Sequence, residues 1–575
     1  TAVGTSAMGA NTTGESNTAF GRSALTANTT GDFNVAVGGD ALFSNTEGEN
    51  NVAVGKNALE DNTTGTRNTA VGRSALGSNT TANENVAIGR NSMCTNTTGT
   101  LNVAVGNNTL CSNTTANCNV AVGYESLPAN TTGGNNSALG FRSLCANTTG
   151  AANTAVGFCS LRSNTTADNN TAVGFCALSS STTGTSLTAV GFCALSRNTT
   201  GSRNTAIGRR SNRCNTTASC NTSVGDASLF ANTTGASNTA LGLNAMLCST
   251  TGSSNTAVGR HSLMCNTTAS NNTAVGTNSL QENTTGTDNT AVGHQSLFTN
   301  QTGANNVAIG KNSLYFNTAS NNTAVGQLAM TNTTTGANNT AVGQNAFTTN
   351  TSGSQSVAIG VNSLDANTTG GNNVAVGYHA LTKNTTANEN VAIGRCSMFE
   401  NTTGTQNVAM GNYSLDSNTT GACNVAIGYS ASCTQTDAVC NTALGFNSLA
   451  AGANIGDSNT AIGWSTLKNT NSGAAGNGNN TALGYNAGRG NDTGYDNTFI
   501  GSVAGNSNST GYSNTTLGKG SGSLITTGNA NTIIGRFDGN QGGLDIRTSS
   551  NNIVLSDGAG NPRVHIDSNG RLGIA

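Results

Sequence analysis

One pattern of apolar and polar positions returns along most of the chain. A unit such as Asn85-Val86-Ala87-Ile88-Gly89 alternates with a period of two, which predicts a short strand. In that strand Val86 and Ile88 share one face and the small Ala87 and Gly89 share the other. Four residues after the Gly stands a Leu or Met (Leu76, Met93, Leu110, Leu127), and three further on comes Asn-Thr-Thr-Gly or Asn-Thr-Thr-Ala. Asn and Gly tolerate positive φ, so this tetrapeptide predicts a chain reversal. Each unit therefore reads as two short strands and two turns, with the Val/Ile column facing the Leu column inside.

The Gly that ends the strand recurs from Gly4 to Gly310 with a constant step of 17 residues. One step of 16 leads to Gly326, and 17 resumes to Gly445. Steps of 18 and 21 reach Gly463 and Gly484, and 17 returns for Gly501, Gly518 and Gly535, which makes 32 units. A unit this short cannot hold a helical hairpin repeat, but it suits one coil of a solenoid. The predicted fold is all-β: a parallel β-solenoid or β-roll of about 32 coils. At roughly 4.8 Å per coil the stack would run to about 150 Å. Stacking places the Asn four residues before each Gly (Asn68, Asn85, Asn102, Asn119) over its copy, which predicts an amide ladder.

Residues 1–445 read as the regular repeat and 446–500 as a collar of longer, irregular coils. The collar holds the sole Trp, Trp464, and Gly-Ala-Asn loops such as Ala474-Ala475-Gly476-Asn477. Residues 501–550 are terminal repeats and a cap and 551–575 form a β-meander; the units at Gly501, Gly518 and Gly535 carry Phe499, Thr516 and Ile533 in place of the small Ala. Thr1-Ala2-Val3-Gly4 reads as a chain entered in mid-repeat.

Each coil offers about two large apolar side chains, whereas ordering 17 residues costs on the order of 20 to 30 kcal/mol. So thin a core favours further burial between chains. The Ala column (Ala70, Ala87, Ala104, Ala121) is the expected flat face for a neighbouring copy, so the chain is expected to partner itself.

Composition narrows the function. Charged residues make up 8 % of the 575 and the net charge is −2, so nothing marks an electrostatic partner of nucleic acid or anionic membrane. No apolar run approaches the roughly 18 residues of a membrane-spanning helix. With 75 Gly but 2 Pro, the chain is not collagen-like. The four His are scattered, no Cys-x-x-Cys occurs, and no slot repeats a pair of facing carboxylates. No catalytic, metal or cofactor site is therefore expected, and an enzyme is disfavoured.

The segment Ser356-Val357-Ala358-Ile359-Gly360 resembles the head repeats of trimeric autotransporter adhesins, which are parallel β-rolls in three-chain bundles. The longer form, Asn-Thr-Ala-Val-Gly-x-x-[SA]-Leu-x-x-Asn-Thr-Thr-Gly, is similar to repeat arrays of phage and large-virus tail fibres, over residues 1 to about 536. Asn552 to Gly558 and Val564 to Ile574 resemble the segment that precedes the intramolecular-chaperone domain of tail fibres. The resemblance implies a homotrimeric rod and a structural fibre or shaft on a cell or virion surface. The alternative it implies is an adhesin that recognises host surface glycans.

Three residue classes are candidate sites. Cys111 and Cys118, Cys214 and Cys220, and Cys433 and Cys440 bracket the same turn, which predicts disulfides across it, with buried free thiols as the other reading. Cys248 and Cys265 share a slot one coil apart, and Cys159, Cys176 and Cys193 form a column of three. Such bridges would imply an oxidising, extracellular setting.

Asn-x-Thr/Ser in the turn is also a glycosylation sequon. It occurs at Asn11, Asn28, Asn62, Asn79, Asn96, Asn113, Asn130, Asn147, Asn164, Asn198, Asn215, Asn232, Asn266, Asn283, Asn300, Asn350, Asn367, Asn384, Asn401 and Asn418. Turn chemistry alone explains the same tripeptide, and a glycan coat is the competing reading. Finally, the slot after the Gly holds Tyr124, Phe141, Phe158, Phe175 and Phe192 in consecutive coils, a column for ring stacking or for sugar binding.

Overall fold

The structure is a computed structural model that describes residues 1–452, 455–471 and 478–574. It contains two compact units, Thr1–Asp288 and Asn289–Ala575. The first holds strands β1 (Ala2–Val3) to β17 (Thr273–Val275), and the second begins with β18 (Thr290–Val292) and carries the stack to β32 (Thr532–Ile534). Within each unit, successive strands pair in parallel and in register one repeat apart: Thr69 faces Val86, Ala70 faces Ala87, and Val71 faces Ile88. Both units are parallel β-solenoids with the 17-residue period.

Each coil has one strand, mostly of three residues, and its inward side chain is the Ala. Ala70, Ala87, Ala104 and Ala121 are fully buried, whereas Val71, Val105 and Val122 lie at the surface. This inverts the expected facing. Leu76, Met93, Leu110 and Leu127 are buried as expected, and they fill the narrow cross-section so completely that only a methyl group fits opposite them. The Ala column is therefore core, and no neighbouring copy can lie on it.

The predicted second strand is a run of turns. The strand ends at Gly72, whose φ is +134°; a Cβ there would lie 2.5 Å from the Gly89 carbonyl oxygen of the next coil. Ser74 and Leu76 follow at φ of 54° and 49°, and Glu84 closes the coil at 61°. Left-handed residues bend the backbone, so the Leu segment curls around the core instead of extending along it.

What completes the core is polar. In most coils two Asn are buried, one before the strand (Asn68, Asn85, Asn102) and one in the turn (Asn62, Asn79, Asn96). The first column forms the expected ladder: the Asn85 backbone N–H donates to Asn68 Oδ1 at 3.1 Å, and its Nδ2 donates to the Gly99 carbonyl at 2.9 Å.

In the second unit the longer steps after Gly445 leave the strand register intact, with Thr442 facing Thr460 and Thr460 facing Thr481. The loop Ala474 to Asn477 lies outside the described residues. Beyond it the core is rebuilt. Phe499 and Thr516 take the inward strand position and are buried, and the Leu slot is occupied by Gly488, Gly505 and Gly522. A Cβ on Gly505 would lie 2.2 Å from the Phe499 ring, and one on Gly488 would lie 2.6 Å from it. The large side chain has moved from the turn to the strand.

The stack ends where β32 pairs in parallel with β35 (Ile553–Ser556). From there β36 (Pro562–Ile566) and β37 (Leu572–Ile574) add antiparallel, and β33 (Asn540–Gln541) pairs with β34 (Leu544–Asp545) as a separate hairpin. Ile525, Ile533, Phe537, Ile546 and Val554 form a small apolar core beneath this cap.

Candidate functional site

Nineteen of the twenty sequon asparagines have no exposed surface, and Asn11 in the first coil is half-buried. Asn79 shows why. Its Nδ2 donates to Asn62 Oδ1 at 2.8 Å in the previous coil and to the Ala82 carbonyl at 3.1 Å in its own turn. Asn96 Nδ2 then donates to Asn79 Oδ1 at 3.1 Å. Both Nδ2 hydrogens are used, so the folded coil has neither a free proton nor space for a sugar at this atom.

The column also keeps its polarity where the sequon is lost. Asn45 precedes Thr46-Glu47 and is still buried in the ladder, bonded to Asn28 at 2.8 Å. Ser181, Ser249, Thr333 and Gln435 stand in the same slot, also buried, and Asn198 Nδ2 reaches Ser181 Oγ at 3.4 Å. A buried hydrogen-bonding side chain is the common property. The first Thr of the tripeptide has its own axial bond, as Thr97 Oγ1 donates to the Thr114 carbonyl at 3.1 Å.

All fifteen cysteines are free thiols. The bridges expected at Cys111–Cys118, Cys214–Cys220, Cys433–Cys440 and Cys248–Cys265 are not formed. The thiols on the turn point along the stack instead of across it: Cys111 Sγ donates to the Pro128 carbonyl at 3.5 Å and Cys433 Sγ to the Ala450 carbonyl at 3.3 Å. Cys118, Cys220 and Cys440 are exposed in left-handed positions. Burial pushes the Cys248 and Cys265 thiols up. Sequence reasoning missed the neighbour that Cys111 does have, Cys94, which the 17-residue spacing would have revealed.

The aromatic column is a continuous face-to-face stack. Ring centroids from Tyr124 through Phe141, Phe158, Phe175 and Phe192 are separated by 5.5, 5.0, 5.1 and 5.3 Å, with interplanar angles of 11° or less. Each interior ring has a parallel neighbour on either side, in an offset stack that leaves the ring about two-fifths exposed. Sugar rings stack on aromatic faces, so within the column those faces are already taken. A second stack, unnoticed in the sequence, runs through Tyr429, Phe446, Trp464 and Tyr485 at 5.4, 5.9 and 5.0 Å. These residues also follow the strand Gly, so the slot rule would have found them.

Beside the rings lies a larger apolar surface. Ile88, Leu139 and Ile207 are each 40 % exposed, and they belong to one in-register column with Val105, Val122, Val156, Val173 and Val190. The second unit continues the motif with Ile309, Val342, Ile359 and Met410. Charges are sparse, and some pair between coils, as in Arg67–Glu84 at 3.1 Å and Arg209–Asp226 at 2.8 Å. The ion pair takes Arg209 out of the small basic spot it would make with Arg210 and Arg213.

Among the described residues no group of three or more His, Cys, Asp or Glu is placed to hold a metal ion, and no helix is long and apolar enough to cross a membrane. The chain matches no protein-family model, and a search of curated proteins finds no similar one.

Proposed function

We propose that the chain is a structural element: a self-associating shaft segment of an extracellular or virion-surface fibre, serving as a rigid spacer and surface coat. The observation that carries this reading is the outward Val/Ile column. A monomeric soluble protein rarely leaves a long contiguous apolar stripe in water, and such stripes mark association surfaces. The thin interior points the same way. Most regular coils bury one Leu or Met and an Ala, and leave their second large apolar side chain outside.

The partner proposed for the stripe is another copy of the same chain, because in-register columns of one spacing match their own copies coil for coil. Three copies is the number the resemblance implies, and the surface location comes from the same resemblance. A glycan-binding adhesin is the competing function, weakened by the engaged ring faces. Antibody labelling of intact producing cells or virions tests the proposal. Label along surface appendages is expected, and label confined to the cell interior would overturn it. On a glycan array no binding is expected; binding lost on Phe158→Ala and Phe175→Ala would make the adhesin reading the correct one.

A further inference from the structure

Cys94 and Cys111 occupy the same slot in successive coils, just after the buried Met93 and Leu110. The register is fixed by the axial backbone bonds on either side: the Ser78 N–H donates to the Cys94 carbonyl at 3.1 Å, and the Thr95 N–H donates to the Cys111 carbonyl at 3.2 Å. In-register coils stand roughly 4.8 Å apart, inside the ~4.4–6.8 Å Cα separation that a disulfide needs. Cys94 Sγ leans toward the next coil, where its thiol donates to the Cys111 carbonyl oxygen at 3.4 Å, which brings the two sulfurs into neighbouring positions. Both side chains are half-buried, so small molecules can reach them.

The fold does not demand Cys in this slot. Neighbouring coils place Gly77, Pro128, Cys145 and Arg162 there, so only Cys94 and Cys111 are cysteines in directly successive coils of this stretch.

We propose that Cys94 and Cys111 form a thiol–disulfide exchange site, with Cys111 the attacking thiol, Cys94 the resolving thiol, and a low-molecular-weight disulfide R–S–S–R the oxidant. Cys111, as thiolate, attacks one sulfur of R–S–S–R. That S–S bond breaks, RS⁻ leaves and takes up the proton Cys111 released, and a mixed disulfide Cys111–S–S–R remains. Cys94 then gives up its proton and attacks the Cys111 sulfur; the bond to the R sulfur breaks, and the second RS⁻ leaves with that proton. Two protein thiols become one inter-coil disulfide, and R–S–S–R becomes two RSH.

The electrostatics assign the roles. The neighbouring Cys94 lowers the Cys111 thiol, against opposition from burial and from Glu125 in the next coil, with Ser112 also lowering it. The same contact pushes Cys94 up. A lowered thiol holds a larger thiolate fraction near neutral pH than a thiol at its ordinary value.

The test uses the full, reduced chain. Iodoacetamide labelling at pH 6, read by mass spectrometry of chymotryptic peptides cut at Leu101, is expected to modify Cys111 faster than Cys248, whose thiol burial pushes up. The Cys94→Ala variant is expected to remove that advantage. Oxidised glutathione at pH 7 is expected to yield a Cys94–Cys111 linked peptide ahead of any Cys248–Cys265 link. Failure of that link to form, or a Cys111 labelling rate equal to that of Cys248 and unchanged by Cys94→Ala, would overturn the proposal.

Discussion

A coil from the regular repeat and one from the end of the second unit fill the same cross-section in opposite ways. At Ala172 and Leu178 the strand contributes a methyl group and the turn an isobutyl group; at Phe499 and Gly505 the strand contributes a ring and the turn nothing. Both coils keep the strand-ending Gly and the buried Asn before the strand. Core volume is thus conserved while its source is exchangeable, and the strand-ending Gly is the constant frame, with the Asn columns nearly as constant. Gly505 sits at φ 56°, where Leu178 sits at 52°, so the terminal coil also places at this left-handed position the residue that tolerates it best.

The comparison can be broken at its shared part first. Gly72→Ala in a regular coil and Gly501→Ala in a terminal one put a Cβ 2.5 Å and 2.3 Å from a carbonyl oxygen of the next coil, at φ near +133°. Each is expected to cost more than about 4 kcal/mol in chemical denaturation, the largest effect of any single substitution here. Next comes the exchange itself. Ala172→Phe alone overpacks the coil and is expected to cost about 3 kcal/mol, whereas adding Leu161→Gly and Leu178→Gly, which copies the surroundings of Phe499, should restore part of that loss. A triple variant less stable than Ala172→Phe would show that the two cores are not interchangeable.

The ladder is the next most sensitive part. Asn79→Ala leaves Asn62 Oδ1, Asn96 Nδ2 and the Ala82 carbonyl without their partner, and a loss of about 2 to 3 kcal/mol is expected in thermal or urea unfolding. Asn79→Ser, the exchange the chain itself makes at Ser181, should cost about half as much. Equal losses would argue that volume, not hydrogen bonding, governs the slot. The smallest effect is a gain. Leu101 is exposed at φ 59°, so Leu101→Asn is expected to stabilise by up to about 1 kcal/mol, measured by the same unfolding curves.

Much of this architecture was legible in the residues. The 17-residue step, the parallel register, the Asn68–Asn85 ladder and the buried Leu follow from periodicity and turn chemistry. Which face of the strand turns inward does not, because alternation defines two faces without ranking them. Hydrophobicity favoured Val86 and Ile88, but the space left by Leu and Met admitted only Ala87. The Leu segment was misread as a strand because nothing in Leu itself advertises a left-handed conformation. The turn Asn carried two meanings, and only its burial separates a ladder amide from a glycan acceptor. The disulfides failed for a similar reason: sequence proximity across a turn says nothing about where Sγ points. By contrast, the exchange of Ala and Leu for Phe499 and Gly505 and the stack through Trp464 were readable slot by slot.

The central claim is that the outward Val/Ile column is an association surface between copies of this chain. Light scattering on the purified, folded protein tests it most directly. The account predicts a mass that is an integer multiple of 57.1 kDa, three-fold if the resemblance holds, whereas a stable folded species at 57.1 kDa would contradict it.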